Sequence, residues 1–194
     1  MESLPTFKTM GEHFGEIGDA ALKFIQKSAR PLTFLKGETL VEPGKTCQHL
    51  YFIQKGVVRG FIAEGRKETT TWLTSEGEMA TAIRSFLMQV PTQEKVEAIE
   101  DCKVLELSYE NLQKMLHQFV KLNVVGLKIM EQYYCDAEER AYVIRLSNAN
   151  LKYQYFLKTK GNLINRIPLK YIASYLGMTT ETLSRIRTKF SQSK

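Results

Sequence analysis

Leu169 to Thr188 read LKYIASYLGMTTETLSRIRT, two short apolar stripes at helical spacing on either side of a glycine. Ile172, Ala173 and Leu176 form the inner face of a first helix, and Leu183 and Ile186 that of a second. Ala173 is small where the helices cross, so their backbones can approach closely. Gly177 stands where the first helix must end, and glycine enters the left-handed region without a Cβ penalty. Met178 fills the corner, and Thr179 is placed to accept a backbone N–H at the start of the second helix. The spacing predicts a helix-turn-helix. It leaves Thr180, Glu181, Ser184, Arg185 and Arg187 on the outer side, where a recognition helix meets a DNA major groove.

The charge distribution agrees. From Asn148 to the end the 194-residue chain holds nine basic residues and one acid, Glu181, a net +8. The remainder holds 18 basic and 20 acidic groups, a net −2. A basic C-terminal unit on a near-neutral body implies a local polyanion site. Its charges interleave with periodic apolar residues, unlike those of a solvated basic tail.

Other classes find little support. There is no apolar run long enough to span a bilayer and no basic-then-apolar export signal, so no membrane partner is expected. Cys47, Cys102 and Cys135 are odd in number and far apart, which predicts a reducing, cytoplasmic address and suits no iron–sulfur cluster. His13, His49 and His117 are scattered, so no metal site is expected. No Ser-His-Asp, phosphate-loop or H-E-x-x-H pattern appears, and no enzyme is expected.

Upstream, Pro168 falls at the first turn of the helix pair, and Asn148 to Lys160 predicts another helix ended by Gly161. Helical structure begins at Asn111 to His117, and an uninterrupted stretch is then expected to run to about Ser147. Val120, Asn123, Leu127, Met130, Tyr134, Ala137, Ala141 and Ile144 alternate spacings of three and four along it, a heptad seam. A helix of roughly 28 residues, about 40 Å, exceeds what a small domain covers. The expected interface of a homodimer is therefore Leu127, Met130, Tyr134, Ala137, Ala141 and Ile144, with a helix packed on its own domain as the other reading. From Pro31 to Ser108 short β-type runs alternate with Gly and charged turns, which indicates a sandwich or barrel. Gly77 to Gln93 reads as a loop with a short helix, SFLMQV, and Met10 to about Arg30 as an amphipathic helix.

Taken in order, Phe34-Leu35-Lys36-Gly37-Glu38, Gly44, Leu50-Tyr51-Phe52-Ile53, Lys55-Gly56-Val57-Val58-Arg59, Gly77-Glu78, Val96-Glu97-Ala98 and Ile172 to Phe190 resemble the Crp/Fnr family of bacterial transcription regulators. The segment IPLKYIASYLGMTTETLSRIR is similar to the subgroup common in Bacteroidetes-type bacteria. The resemblance implies an α+β chain. An N-terminal β jelly roll of the cyclic-nucleotide-binding type would occupy residues 1–118, a long dimerisation helix 119–147 and a helix-turn-helix domain 148–194. The chain stops four residues after Phe190, so the terminal β-hairpin wing of many relatives is expected to be missing.

The resemblance also assigns roles. Glu181 and Arg185 match family base readers: Arg can donate twice to guanine, and Glu can accept from cytosine N4. As an i,i+4 ion pair they would be worth only about 0.3 kcal/mol. Thr180 stands where better-known relatives carry Arg, so the operator should differ there. Thr179, Arg187 and Lys189 suit phosphate contacts. Double-stranded DNA and a second copy are the implied partners, with RNA polymerase a further one. In the effector pocket Gly77-Glu78 matches the ribose-binding pair, with Met79 beside it. The phosphate-binding Arg position falls on Thr92, followed by Gln93 and Glu94, although Arg84 lies in the same loop. Cyclic AMP would lose a charge-assisted bidentate contact there. Another small-molecule effector, or none, remains open, and no cofactor is fixed. The competing function is a sensor module whose C-terminal helices bind a protein.

Overall fold

Pro31 disfavours helical backbone at the residue before it, and this ends the first helix early. The computed structural model describes residues 17–192. α1 spans Asp19–Ser28, and Arg30, expected at the end of that helix, instead opens a strand. The expected helical residues Met10 to Glu16 lie outside the described residues.

Eight strands follow: β1 (Arg30–Phe34), β2 (Thr39–Val41), β3 (His49–Lys55), β4 (Val58–Glu64), β5 (Lys67–Thr74), β6 (Met79–Ala80), β7 (Lys95–Ala98) and β8 (Cys102–Ser108). They form two antiparallel four-stranded sheets, ordered β1-β8-β3-β6 and β2-β7-β4-β5, the two layers of a jelly roll. A hairpin at Gly65, φ +62°, joins β4 to β5. β6 corrects the reading of Gly77 to Gln93 as free of strand. It has only two residues, too few for a periodicity, and pairing with Tyr51 and Phe52 defines it. The short helix in this segment, α2 (Ile83–Met88), begins two residues earlier than SFLMQV and ends at Gln89, φ +51°.

The helical half starts with α3 (Tyr109–Gln118), capped by Ser108, whose hydroxyl accepts from Asn111 N at 3.2 Å. The expected continuous helix is then interrupted. Phe119, at ψ +74°, leaves helical geometry and packs edge-on against Phe24 of α1. The long helix α4 therefore runs from Leu122 to Arg145, 24 residues, and Val120 lies before it. Asn123 serves the break, donating to the carbonyls of Leu116 and Val120. α5 (Ala149–Lys160) is capped by Asn148, and α6 (Leu169–Tyr175) and α7 (Thr180–Gln192) make the helix-turn-helix.

Two cores result. The first fills the roll and takes in Ala21 and Ile25 of α1 and Leu122 and Val125 of α4. The second joins Phe156, Ile172, Leu176, Leu183 and Ile186 of the helical unit to Val57, Leu73 and Ile99 of the roll. α6 therefore lies on β5: Ser174 Oγ accepts from Thr70 N at 2.9 Å and donates to the Glu68 carbonyl at 3.2 Å. Beside it Arg59, 1% exposed, is held between the rings of Phe61 and Tyr171, at 3.9 and 3.6 Å, and pairs with Glu68 and Glu97 at 2.5 and 2.6 Å. Arg166 adds a bidentate pair to Glu76, at 2.6 and 2.9 Å, and a further bond to Glu100. No helix among the described residues is long and apolar enough to cross a membrane.

Candidate nucleic-acid interface and effector cavity

The turn between α6 and α7 closes on its glycine. Met178 N donates to the Ala173 carbonyl and Gly177 N to the Ser174 carbonyl, with Gly177 at φ +60°. This is a Schellman termination, in which two otherwise orphaned carbonyls are satisfied. Thr182 N then donates to Thr179 Oγ1 at 3.2 Å, the cap that the sequence suggests. Leu183 and Ile186 are buried, and burial of such side chains contributes about 1.5–3 kcal/mol each. With that face inward, Thr179, Glu181, Ser184, Arg185 and Lys189 are exposed, while Thr180 and Arg187 are half-buried. Arg185 Nε donates to the Glu181 carbonyl at 3.4 Å, in place of the carboxylate pairing weighed from the sequence. Glu181's carboxylate accepts from Thr180 Oγ1 at 3.2 Å, and its pKa is lowered by hydrogen bonds from its own backbone N–H, Thr179 and Thr180.

Counting cations overstated the basic surface. Lys152 is buried, with its Nζ 3.5 Å from the Gly177 carbonyl. Lys160 pairs with Glu78 at 3.3 Å, and Arg166 with Glu76 and Glu100. These three hold the molecule together. Exposed cations stand on all three helices of the unit: Lys158 on α5, Lys170 on α6, and Arg185 and Lys189 on α7.

A cavity of about 530 Å³ lies where the roll, α4 and the helical unit meet. Trp72, Leu73 and Met79 wall it from the roll, Ile129 and Tyr133 from α4, and Tyr155 and Tyr175 from the helical unit. Glu78 and Met79 are the sequence-suggested effector residues that reach it. Glu78 is fixed by its neighbours: Oε2 accepts from Thr74 Oγ1 and Ser75 N, each at 2.9 Å, and Lys160 faces it. Gly77, φ +84°, forms the turn beside it, and its N–H donates to the Ile53 carbonyl. Arg84 is exposed on α2 and is not among the lining residues, so it does not replace the missing guanidinium there. Thr92 and Gln93 also lie off the cavity; Thr92 bonds through its backbone to Gly44 and Lys45. Glu94 accepts from Thr71, and burial raises its pKa. Tyr133 reaches across to the roll and accepts from Met79 N at 3.0 Å, and burial pushes its pKa up to about 12.

Residues that the sequence reading missed here are Trp72, Tyr133, Tyr155 and Tyr175. Their only signal was aromatic character, which core packing explains equally well. Along the open side of α4, Leu127 and Tyr134 are 60% and 72% exposed, and Met130 and Ile144 are also exposed. Ala137 is exposed and Ala141 half-buried. Such an apolar row on one helix is unusual for a surface that faces only water.

Comparison with known proteins agrees with this architecture. Residues 31–119 match the cyclic nucleotide-binding domain family. The transcriptional activator protein FnrA of Stutzerimonas stutzeri is 27% identical over 184 residues, covering 89% of this chain and 74% of that protein. The structure of FixK2 from Bradyrhizobium japonicum superposes with a TM-score of 0.72 at 17% identity, covering 85% of each chain. A transcriptional regulator of the Crp/Fnr family from Eubacterium rectale gives 0.70 at 16% identity, covering 98% of this chain and 88% of that one.

Proposed function

From the premise that this chain is a member of the Crp/Fnr family, we propose that it is a homodimeric, sequence-specific, DNA-binding regulator of transcription. The observation that carries this reading is α7: its apolar face is buried, its start is capped by Thr179, and Glu181, Ser184, Arg185 and Lys189 stand outward together. A helix so presented can enter a major groove, where Arg185 donates to guanine and Glu181 accepts from cytosine. Thr179, Arg187 and Lys189 serve phosphates, and Thr180 sets a base preference unlike that of an arginine.

The exposed seam of α4 supports pairing with a second copy, which brings two recognition helices to one duplex. Control is by population shift: a small molecule held by the roll changes how α4 and the helical unit pack. The effector is not cyclic AMP, because the position of the phosphate-binding arginine carries Thr92 and Arg84 does not line the cavity. The protein acts in the cytoplasm, contacts RNA polymerase at its promoters, and catalyses no reaction. Selection from a pool of random duplexes tests the central claim. The expected product is a two-fold symmetric site with half-sites about 34 Å apart. No enrichment, with capture of a protein partner by the C-terminal helices, would overturn it.

A further inference from the structure

We propose that the cavity between the roll, α4 and the helical unit binds an uncharged, ring-containing small molecule, and that this ligand ties the roll directly to the DNA-reading unit. The proposal rests on the reading of the chain as an effector-controlled regulator and names the class of effector.

Volume and lining both point there. About 530 Å³ suits a small organic molecule of a few rings, and the walls are mainly apolar and aromatic, as small-molecule sites are. Four rings converge from three units: Trp72 from the roll, Tyr133 from α4, and Tyr155 and Tyr175 from the helical unit. The charged groups on the lining are Glu78, Asp136, Arg140 and Lys160, two of each sign. Lys160 already faces both oxygens of Glu78, at 3.3 and 3.4 Å, and Arg140 stands on the lining with Asp136 one turn before it and Tyr175 across from it. An anionic ligand would compete with Glu78 for Lys160 and meet the carboxylates of Glu78 and Asp136 in a largely apolar space, whereas a neutral one leaves the Lys160–Glu78 pair intact. Burial keeps the Tyr155 and Tyr175 phenols protonated, so both can donate to a neutral acceptor.

A second copy is the competing occupant, and helix geometry separates the two. Ile129, Tyr133, Asp136 and Arg140 recur at spacings of three and four and line the cavity. Leu127, Tyr134 and Ala141 follow a different stripe, roughly a third of a turn round the same helix at about 3.6 residues per turn. A partner helix seated on the second stripe covers the rim at Met130, Tyr134 and Ala137 and leaves the first stripe facing inward.

Trp72 is the single tryptophan of the chain, so the wall of the cavity reports on itself. The probe is N-phenyl-1-naphthylamine, a neutral three-ring amine, titrated into the full-length protein. The expected result is saturable energy transfer from Trp72 with equimolar stoichiometry. Thr159→Phe, which fills the cavity from an exposed helix position, should weaken binding about tenfold or more, whereas Leu127→Glu on the seam should change it by less than about twofold. Probe binding unaffected by Thr159→Phe, or abolished by Leu127→Glu, would overturn the proposal. Displacement of the probe by cyclic AMP would overturn it as well. Operator binding is measured on the same preparations by gel shift. Failure of the probe with operator binding intact refutes the ligand alone, whereas loss of sequence-specific DNA binding by the unsubstituted protein refutes the regulator reading.

Discussion

Arg185 and Lys152 carry the same charge in the same basic unit, yet their surroundings give them opposite tasks. Arg185 is exposed on α7, with its Nε on the Glu181 carbonyl, while Lys152 is buried with its Nζ toward the Gly177 carbonyl. Arg185→Ala should therefore weaken binding to the selected operator by about 1–3 kcal/mol, roughly 5- to 150-fold, with little change in thermal stability. Gel shift and calorimetry on one preparation check both halves. Lys152→Met keeps the stem and removes the ammonium. It should leave the salt dependence of DNA binding unchanged, whereas Lys189→Ala should lower its slope by about one. A reduced slope for Lys152→Met would place that cation on the DNA after all. Residue counting in the sequence could not separate these lysines, because burial is decided by helices that meet only in the fold. Periodicity did identify the inner face of the helix pair, since Ile172, Ala173, Leu176, Leu183 and Ile186 are all buried.

The turn between α6 and α7 was legible because its chemistry is local: a glycine at φ +60° and a threonine two residues on decide it. A Cβ at Gly177 would meet only Ile144 Cγ2 at 3.5 Å and Lys152 Nζ at 3.8 Å, both ordinary contacts. The cost of Gly177→Ala is then conformational, about 1–2 kcal/mol for an L-residue in the left-handed region. Gly177→Asn should recover part of it, and thermal melts of the two variants test the order. The start of α4 was not legible. The seam periodicity runs through Val120 without pause, and the break comes from Phe119 turning to pack on Phe24, some 95 residues away along the chain. What remains of the seam sets a further expectation: Leu127→Glu should convert the protein to monomer in sedimentation velocity without unfolding it, because Leu127 is 60% exposed.

At the scale of the whole molecule, the joint between roll and helical unit is built from contacts no local pattern announces. Arg166 and Glu76 are 90 residues apart, and Thr70 and Ser174 are 104 apart. Hydrogen bonds from Arg166 hold the Glu76 pKa down to about 2, against an ordinary 4.5. A carboxyl depressed in the folded state stabilises it fully above its ordinary pKa, and that contribution is lost as pH falls from about 4.5 toward 2. Urea midpoints of the parent should therefore drop more steeply across that window than those of Glu76→Gln; parallel curves would show that the pair adds nothing. Arg59 answers differently to its surroundings. Counterions reach charges in water but scarcely one that is 1% exposed and stacked between two rings. Concentrated electrolyte should thus lift the protein from a duplex as an intact body, its scattering profile the same after release as before. The grip on nucleic acid and the grip between its own halves would then fail at separate ionic strengths, so the molecule can let go without coming apart.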